Sequence, residues 1–406
     1  MSNSICGICA VGGKINLTRD NNLLILNRKR FNQQTLSSIA EENGMKGITE
    51  YERLISIRIM QEDAENIYSL LKTEQDSVFG MEIIPYYALF VQSCQEYIGE
   101  NLLTESIVKD LKDIRNHIKI YANSFGKSQK RVATVDDMQD RDFKEQLKFE
   151  FLKNTDIHLN LGMYWTEERI IIGNTQQIAD FLSVESMFDP KLKEKNYQMG
   201  YHIGSFVASI REGLADSLHP PMIERNYKSI AINYYCDVNT NKILKRNKIF
   251  LKDQTKKVNL FYLHLLCNMN FVKYILRPLF QDGNIWIFRI EYIVSYYTLR
   301  AFERLKNYCE NNKDITVENE KIYDILKRGE LLFTTKLRNC MMHYNLENAG
   351  VISIENIDKP FYGIIENCFN GKSYKEYLIE LHGLSDMIIN FLNSQFDFSD
   401  VKIRKL

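Results

Sequence analysis

The sequence predicts a mainly α protein, with a C-terminal helical bundle over about residues 255–406 and a mixed α/β region over residues 1–254. Three observations lead there. Apolar residues recur at three- and four-residue intervals through several segments, and beyond Lys257 these become long helical runs. The stretches that read as β-hairpins all fall before residue 252. Of 406 residues 45% are hydrophobic and six are proline, so the chain can bury a large core and few segments look like linkers. A length of 406 also suits two domains better than one.

The first 75 or so residues give mixed signals, and no element is assigned to them. Helices are expected from about Ile84 to Ile98 and from Glu105 to about Ala122, the second with Ile107, Leu111, Ile114 and Ile118 on one face. Phe125-Gly126-Lys127 closes this pair, and the polar run Gln129–Asp142 reads as an exposed connection. His158–Trp165 alternates and Glu168–Gly173 holds a run of isoleucines, which together read as a hairpin turning at Thr166 and Glu167. Met199–Leu218 follows as a helix whose apolar face is Ile203, Phe206, Val207, Ile210 and Leu214, stopped by Pro220-Pro221. Ser229–Val238 and Lys242–Leu251 read as strands around Asn239-Thr240-Asn241.

Long helices are then expected over Val258–Arg277, closed by Pro278, over Trp286–Cys309, and over Lys321–Tyr344 as a single element. The last begins where Ser373 is followed three residues on by Glu376, the spacing of a capping box, and its core face is Tyr374, Tyr377, Leu378, Leu381, Leu384, Ile388, Phe391 and Leu392. Four amphipathic helices in about 150 residues suffice for a bundle, which sets a domain boundary near residue 255.

Several function classes find no support. No stretch reaches the roughly 20 apolar residues of a membrane span, and the first residues lack the order of a secretory signal, so no membrane partner and a cytoplasmic location are expected. The eight cysteines fit reduced thiols, several of them on apolar helical faces. Cys6-Gly7-Ile8-Cys9 has no second Cys or His pair nearby to complete a zinc site, and reads as two ordinary thiols. Net charge is zero, but Lys242, Lys245, Arg246, Lys248, Lys252, Lys256 and Lys257 are opposed in that stretch only by Asp253. Either a solvated hairpin edge or a strip contacting RNA phosphates explains them, and Lys242, Lys245, Arg246 and Lys248 are the candidate RNA-binding residues.

The chemistry-bearing candidate is Arg338-Asn339-x-x-x-His343. Asn339 and His343 are four positions apart and share a helical face, so the amide is expected to orient the imidazole. Arg338 lies about 140° around the helix from His343, so the two flank a groove if a second helix closes against this one. Imidazoles take or give protons near neutrality, and a guanidinium stabilises the phosphorane formed when an RNA 2′-hydroxyl attacks its own phosphate; the reaction needs no metal. An Arg and a His near a helix end also decorate surfaces and interact with the helix dipole.

Residues 258–398 resemble the HEPN superfamily, helical bundles in which Arg, a polar residue and His in this pattern form a metal-independent ribonuclease site. The order of elements agrees: a long amphipathic helix precedes the motif, and Lys359-Pro360-Phe361-Tyr362-Gly363 leads to a closing helix. The resemblance implies an endoribonuclease without a cofactor, catalytic Arg338, Asn339 and His343, and RNA as partner. It also implies pairing of two such bundles, in a homodimer or an internal pseudo-dimer, and toxin-like or antiphage proteins as company. Ile114-Arg115-Asn116-His117-Ile118-Lys119-Ile120-Tyr121 echoes Leu337–Tyr344 with Ile120 at the histidine position. Either residues 80–125 are a degenerate HEPN-like pair contributing Arg115 and Asn116, or two amphipathic helices are alike by chance. His264 and His382 lie in helices as packing residues or near the site. A noncatalytic RNA-binding or dimerising scaffold and a ligand-triggered sensor-effector are the alternative functions; no Gly-rich phosphate loop supports a nucleotide trigger.

Overall fold

Amphipathic periodicity becomes helix through most of the chain. The computed structural model describes residues 50–72, 77–98, 103–119, 122, 125–153, 159–182, 184, 186, 188–189, 192–213, 232–240, 256–311, 319–347, 349, 356 and 358–405. Cys6 and Cys9, the expected strand Lys242–Leu251, and Lys242, Lys245, Arg246 and Lys248 lie outside them. Four helices open the described chain: α1 (Glu50–Leu71), α2 (Ser77–Ile98), α3 (Glu105–Ile118) and α4 (Phe125–Glu145). The hairpin strands β1 (Leu161–Trp165) and β2 (Ile171–Asn174) follow, then α5 (Thr175–Phe181), α6 (Leu192–Gly213) and β3 (Tyr234–Val238). The longer helices that follow are α7 (Lys256–Asn270), α8 (Ile285–Asn311), α9 (Asn319–Glu330), α10 (Thr335–His343) and α11 (Tyr374–Asn393), and the two-residue strand β4 (Arg404–Lys405) comes last. The fold is mainly α, and among the described residues no helix is long and apolar enough to cross a membrane.

Three readings differ from expectation: Phe125-Gly126-Lys127, expected to close the pair of α2 and α3, instead opens α4. The polar run Gln129–Asp142 is no exposed connection but most of α4, because its buried face mixes Val132, Val135 and Met138 with polar residues that have partners. Gln176 donates to Asp136 Oδ1 at 2.7 Å and Thr175 Oγ1 to Gln139 Oε1 at 3.0 Å, so α5 satisfies what the sequence displays as surface. The single helix expected over Lys321–Tyr344 is broken into α9 and α10. Leu332 is buried in the break, its carbonyl accepting from Tyr377 Oη at 2.7 Å, and Thr334 restarts the helix as N-cap, accepting from Leu337 N at 3.2 Å.

The small sheet has the order β2-β1-β3-β4, all antiparallel. Residues close to the C-terminus thus pair with β3, Tyr234 opposite Lys405, and Phe398 packs edge-on against the buried Trp165 at 4.9 Å. Apolar burial continues across residue 255: one cluster of buried residues extends from Ile55 to Val401. Within it α2 packs on α10, α4 and β2 on α7, and α1 on α8, so helices from both halves of the chain surround the motif. The capping box forms as expected, Ser373 and Glu376 bonding reciprocally at the start of α11.

Candidate active site

The helix carrying the motif is held hardest at its C-terminal end, where the last carbonyls of any helix lack intrahelical partners. Ser93 Oγ on α2 donates to the Met342 carbonyl at 2.6 Å, and Arg289 Nη2 on α8 to the Met341 carbonyl at 2.8 Å. Arg289 is buried and ion-paired with the equally buried Asp63 of α1. Tyr344 ends the helix in a left-handed conformation, φ 51°, which a non-glycine residue adopts only when its surroundings impose it. Here its ring is buried 4.2 Å beneath the Arg289 guanidinium and its hydroxyl donates to Asp63 Oδ2 at 2.6 Å. His343, one residue earlier, is thereby fixed at the last helical position.

The His343 side chain is partly exposed and turns to α2, where its Nδ1 lies 2.8 Å from Glu96 Oε2. The other oxygen of the same carboxylate, Oε1, accepts from Nη1 of Arg115 on α3, a side chain that is almost fully buried. Burial alone would raise the Glu96 carboxyl, but the His343 hydrogen bond and the Arg115 charge outweigh it and hold it down at about 2. With Glu96 ionised, the hydrogen bond requires the proton on Nδ1, leaving the Nε2 lone pair of a neutral His343 to accept another. Lys119, at the C-cap of α3, adds positive charge beside Arg115 and Glu96; burial and then the Arg115 charge hold its amine below the usual lysine value.

Arg338 points toward α8. Its Nη2 and Nε donate to Asn339 Oδ1 at 2.9 and 3.3 Å, and its charge acts on the Tyr296 hydroxyl. Asn339 therefore braces Arg338, not His343; the orienting partner of the imidazole is Glu96. Arg300 Nε donates to the same Tyr296 hydroxyl at 3.3 Å. Burial alone would raise the Tyr296 phenol, but these two guanidinium groups outweigh it and bring it below the usual tyrosine value. The neighbouring Tyr297 goes the other way, burial pushing it up to about 12, and its hydroxyl is spent on Met342 Sδ at 3.3 Å. Tyr297 feels the charges of both Arg115 and Arg338, so the two arginines border one region.

Comparison with protein-family models, with curated proteins and with solved structures finds no match to this chain. The site has to be read from its own geometry.

Of the sequence candidates, the structure brings Arg338, Asn339, His343 and Arg115 together. Asn116 does not join them. It is exposed and lines an open cleft of about 820 Å3 on another side of α3, together with His117. His117 Nδ1 lies 3.0 Å from the buried Asp180 Oδ2, which Arg131 also pairs. His382 and His264 are elsewhere: His382 Nε2 sits 3.3 Å from Glu291, and His264 is buried in α7, its imidazole pushed down to about 4 by desolvation. Ile120, aligned with His343, lies outside the described residues. Among the described residues no group of three or more His, Cys, Asp or Glu side chains is arranged to hold a metal ion. Glu96, Tyr296 and Arg300 were invisible as site residues in the sequence. The mostly apolar helix Ser77–Ile98 carries two glutamates, Glu82 and Glu96, and nothing local distinguishes them.

Proposed function

We propose that this chain is a metal-independent endoribonuclease of the HEPN type, its site assembled within one chain from two motif-bearing helices. One observation carries the reading: a single carboxylate, Glu96, holds His343 of Arg338-Asn339-x-x-x-His343 and Arg115 of the Arg115-Asn116 echo. The pairing of two bundles implied by the resemblance then becomes an internal one, α3 supplying an arginine and α10 an arginine and a histidine.

The arrangement suits cleavage by the strand's own 2′-hydroxyl. His343 Nε2 accepts the hydroxyl proton, while Glu96 fixes the tautomer and the ring. Arg115 and Arg338 supply the positive charge that a phosphorane requires, and Arg300 extends it toward a neighbouring phosphate. A toxin-like or antiphage role rests on the resemblance alone. The competing noncatalytic scaffold is favoured by the fact that Arg115 and His343 already have an ionic partner in Glu96. A ligand-triggered effector is favoured by the open cleft beside His117, since α3 borders both that cleft and Glu96.

Purified protein incubated with single-stranded RNA in excess EDTA tests the proposal. Cleavage leaving 2′,3′-cyclic phosphate and 5′-hydroxyl ends is expected, and folded His343→Ala protein should lose it. Products with 5′-phosphate ends, or unchanged cleavage by His343→Ala, would overturn the reading in favour of the scaffold.

A further inference from the structure

We infer that Tyr296 is the second proton-transfer group of this site, donating its phenolic proton to the 5′-oxygen as the scissile phosphate is cut. The inference rests on the RNA-cleaving reading above. Cleavage by a 2′-hydroxyl moves two protons, one off the nucleophile and one onto the leaving oxygen. A site with one histidine supplies one of these transfers, and the echo motif carries Ile120 where a second histidine would stand.

The groups bordering His343 and Arg338 narrow the choice. Glu96 is ionised and has no proton to give, being held down at about 2 by His343 and Arg115. Tyr297 is pushed up to about 12 and its hydroxyl is engaged with Met342 Sδ. The Tyr296 hydroxyl accepts from Arg300 Nε at 3.3 Å and also feels the charge of Arg338. Those charges stabilise the phenolate that donation leaves behind, and they already hold the phenol below its usual value. Arg338 is also the arginine assigned to the phosphorane, so one charge acts on both the phosphate and the donor oxygen. The ring is preorganised, packed on Phe333 at 5.7 Å and on Tyr297 at 5.4 Å.

The step balances. His343 Nε2 removes the 2′-hydroxyl proton, O2′ bonds to phosphorus, the P–O5′ bond breaks with its electron pair going to O5′, and the Tyr296 proton follows. RNA leaves as a 2′,3′-cyclic phosphate and a 5′-hydroxyl. The imidazolium and phenolate left on the protein return to their starting forms by exchange through water.

The test compares ordinary RNA with RNA whose scissile 5′-oxygen is replaced by bridging sulfur, a leaving group that needs no proton. Tyr296→Phe should cut ordinary RNA about 10² to 10⁴-fold more slowly than the wild type, yet cut the sulfur-bridged substrate within about tenfold of it. A wild-type rate on ordinary RNA, or an equal loss on both substrates, would overturn the assignment. Should Tyr296→Phe fail to fold, 3-fluorotyrosine at position 296 keeps the shape and acidifies the phenol. The alkaline limb of the pH–rate profile should then move to lower pH, and an unmoved limb would overturn the assignment. A folded wild-type protein that cuts neither substrate defeats the ribonuclease reading itself, and this inference with it.

Discussion

Glu96→Gln separates the orientation of His343 from the stability of the fold. The carboxylate accepts from both His343, at 2.8 Å, and Arg115, and these partners hold it at about 2 against an ordinary 4.5. At 1.36 kcal/mol per pH unit that depression corresponds to at most about 3.4 kcal/mol. The side chain is 42% exposed, and solvent screening brings such pairs down to about 1 kcal/mol. Because the folded-state value is the lower one, this stabilisation is fully present above about pH 4.5 and is lost as pH falls toward 2. Urea unfolding at pH 7 should therefore cost Glu96→Gln about 1 kcal/mol or less, and the gap from wild type should close between pH 4.5 and 2. Cleavage should suffer more. An amide carries no charge and can present either its oxygen or its NH2 group to the imidazole, so the Nδ1–H tautomer is no longer specified, at a cost of about 10²-fold or more. Single-turnover cleavage of labelled RNA at saturating protein, run beside the urea titration, reads both quantities. A Glu96→Gln protein that cleaves within about twofold of wild type would refute the orienting role.

Three further outcomes are expected. Asp63→Ala leaves the Arg289 guanidinium buried without its countercharge and the Tyr344 hydroxyl without its acceptor, so denaturant unfolding should show a loss of about 3–5 kcal/mol, with the paired change Asp63→Leu plus Arg289→Met less damaging than Asp63→Ala alone. Asn339→Ala should act through Arg338 and leave His343 in place: the His343 imidazole signals in NMR should stay unmoved while cleavage falls, by less than in Arg338→Ala. Mixing Arg338→Ala with His343→Ala protein should restore no activity, since Glu96, Arg115, Arg338 and His343 meet within one chain; recovery in the mixture would refute the internal site.

Helical periodicity made α2, α3, α7, α8 and α11 legible in the sequence, and the Ser373–Glu376 spacing marked the start of α11, because these signals depend on neighbours within one or two turns. The hairpin of β1 and β2 was legible for the same reason, its alternation and turn being local. Arg338 and His343 stood out as a pair at a meaningful spacing. What surrounds them did not, since burial of polar groups erases the contrast on which pattern reading depends. Asp136 and Gln139 concealed α4 because their partners Gln176 and Thr175 are about 40 residues away. Asn339 and His343 share a helical face at four-residue spacing, yet the amide bonds Arg338, because Glu96 from α2 offers the imidazole a charged acceptor. Whether α3 and α10 face each other was likewise decided by packing: burial of one continuous apolar cluster brings α2 against both, and so sets a carboxylate 247 positions from His343 within hydrogen-bond reach of it. The sequence by itself determined the helices whose apolar periodicity is local and singled out Arg338 and His343; only the tertiary structure decided α1, α4 and the break before α10, and set Glu96 between His343 and Arg115, because those contacts are the product of burial and not of spacing along the chain.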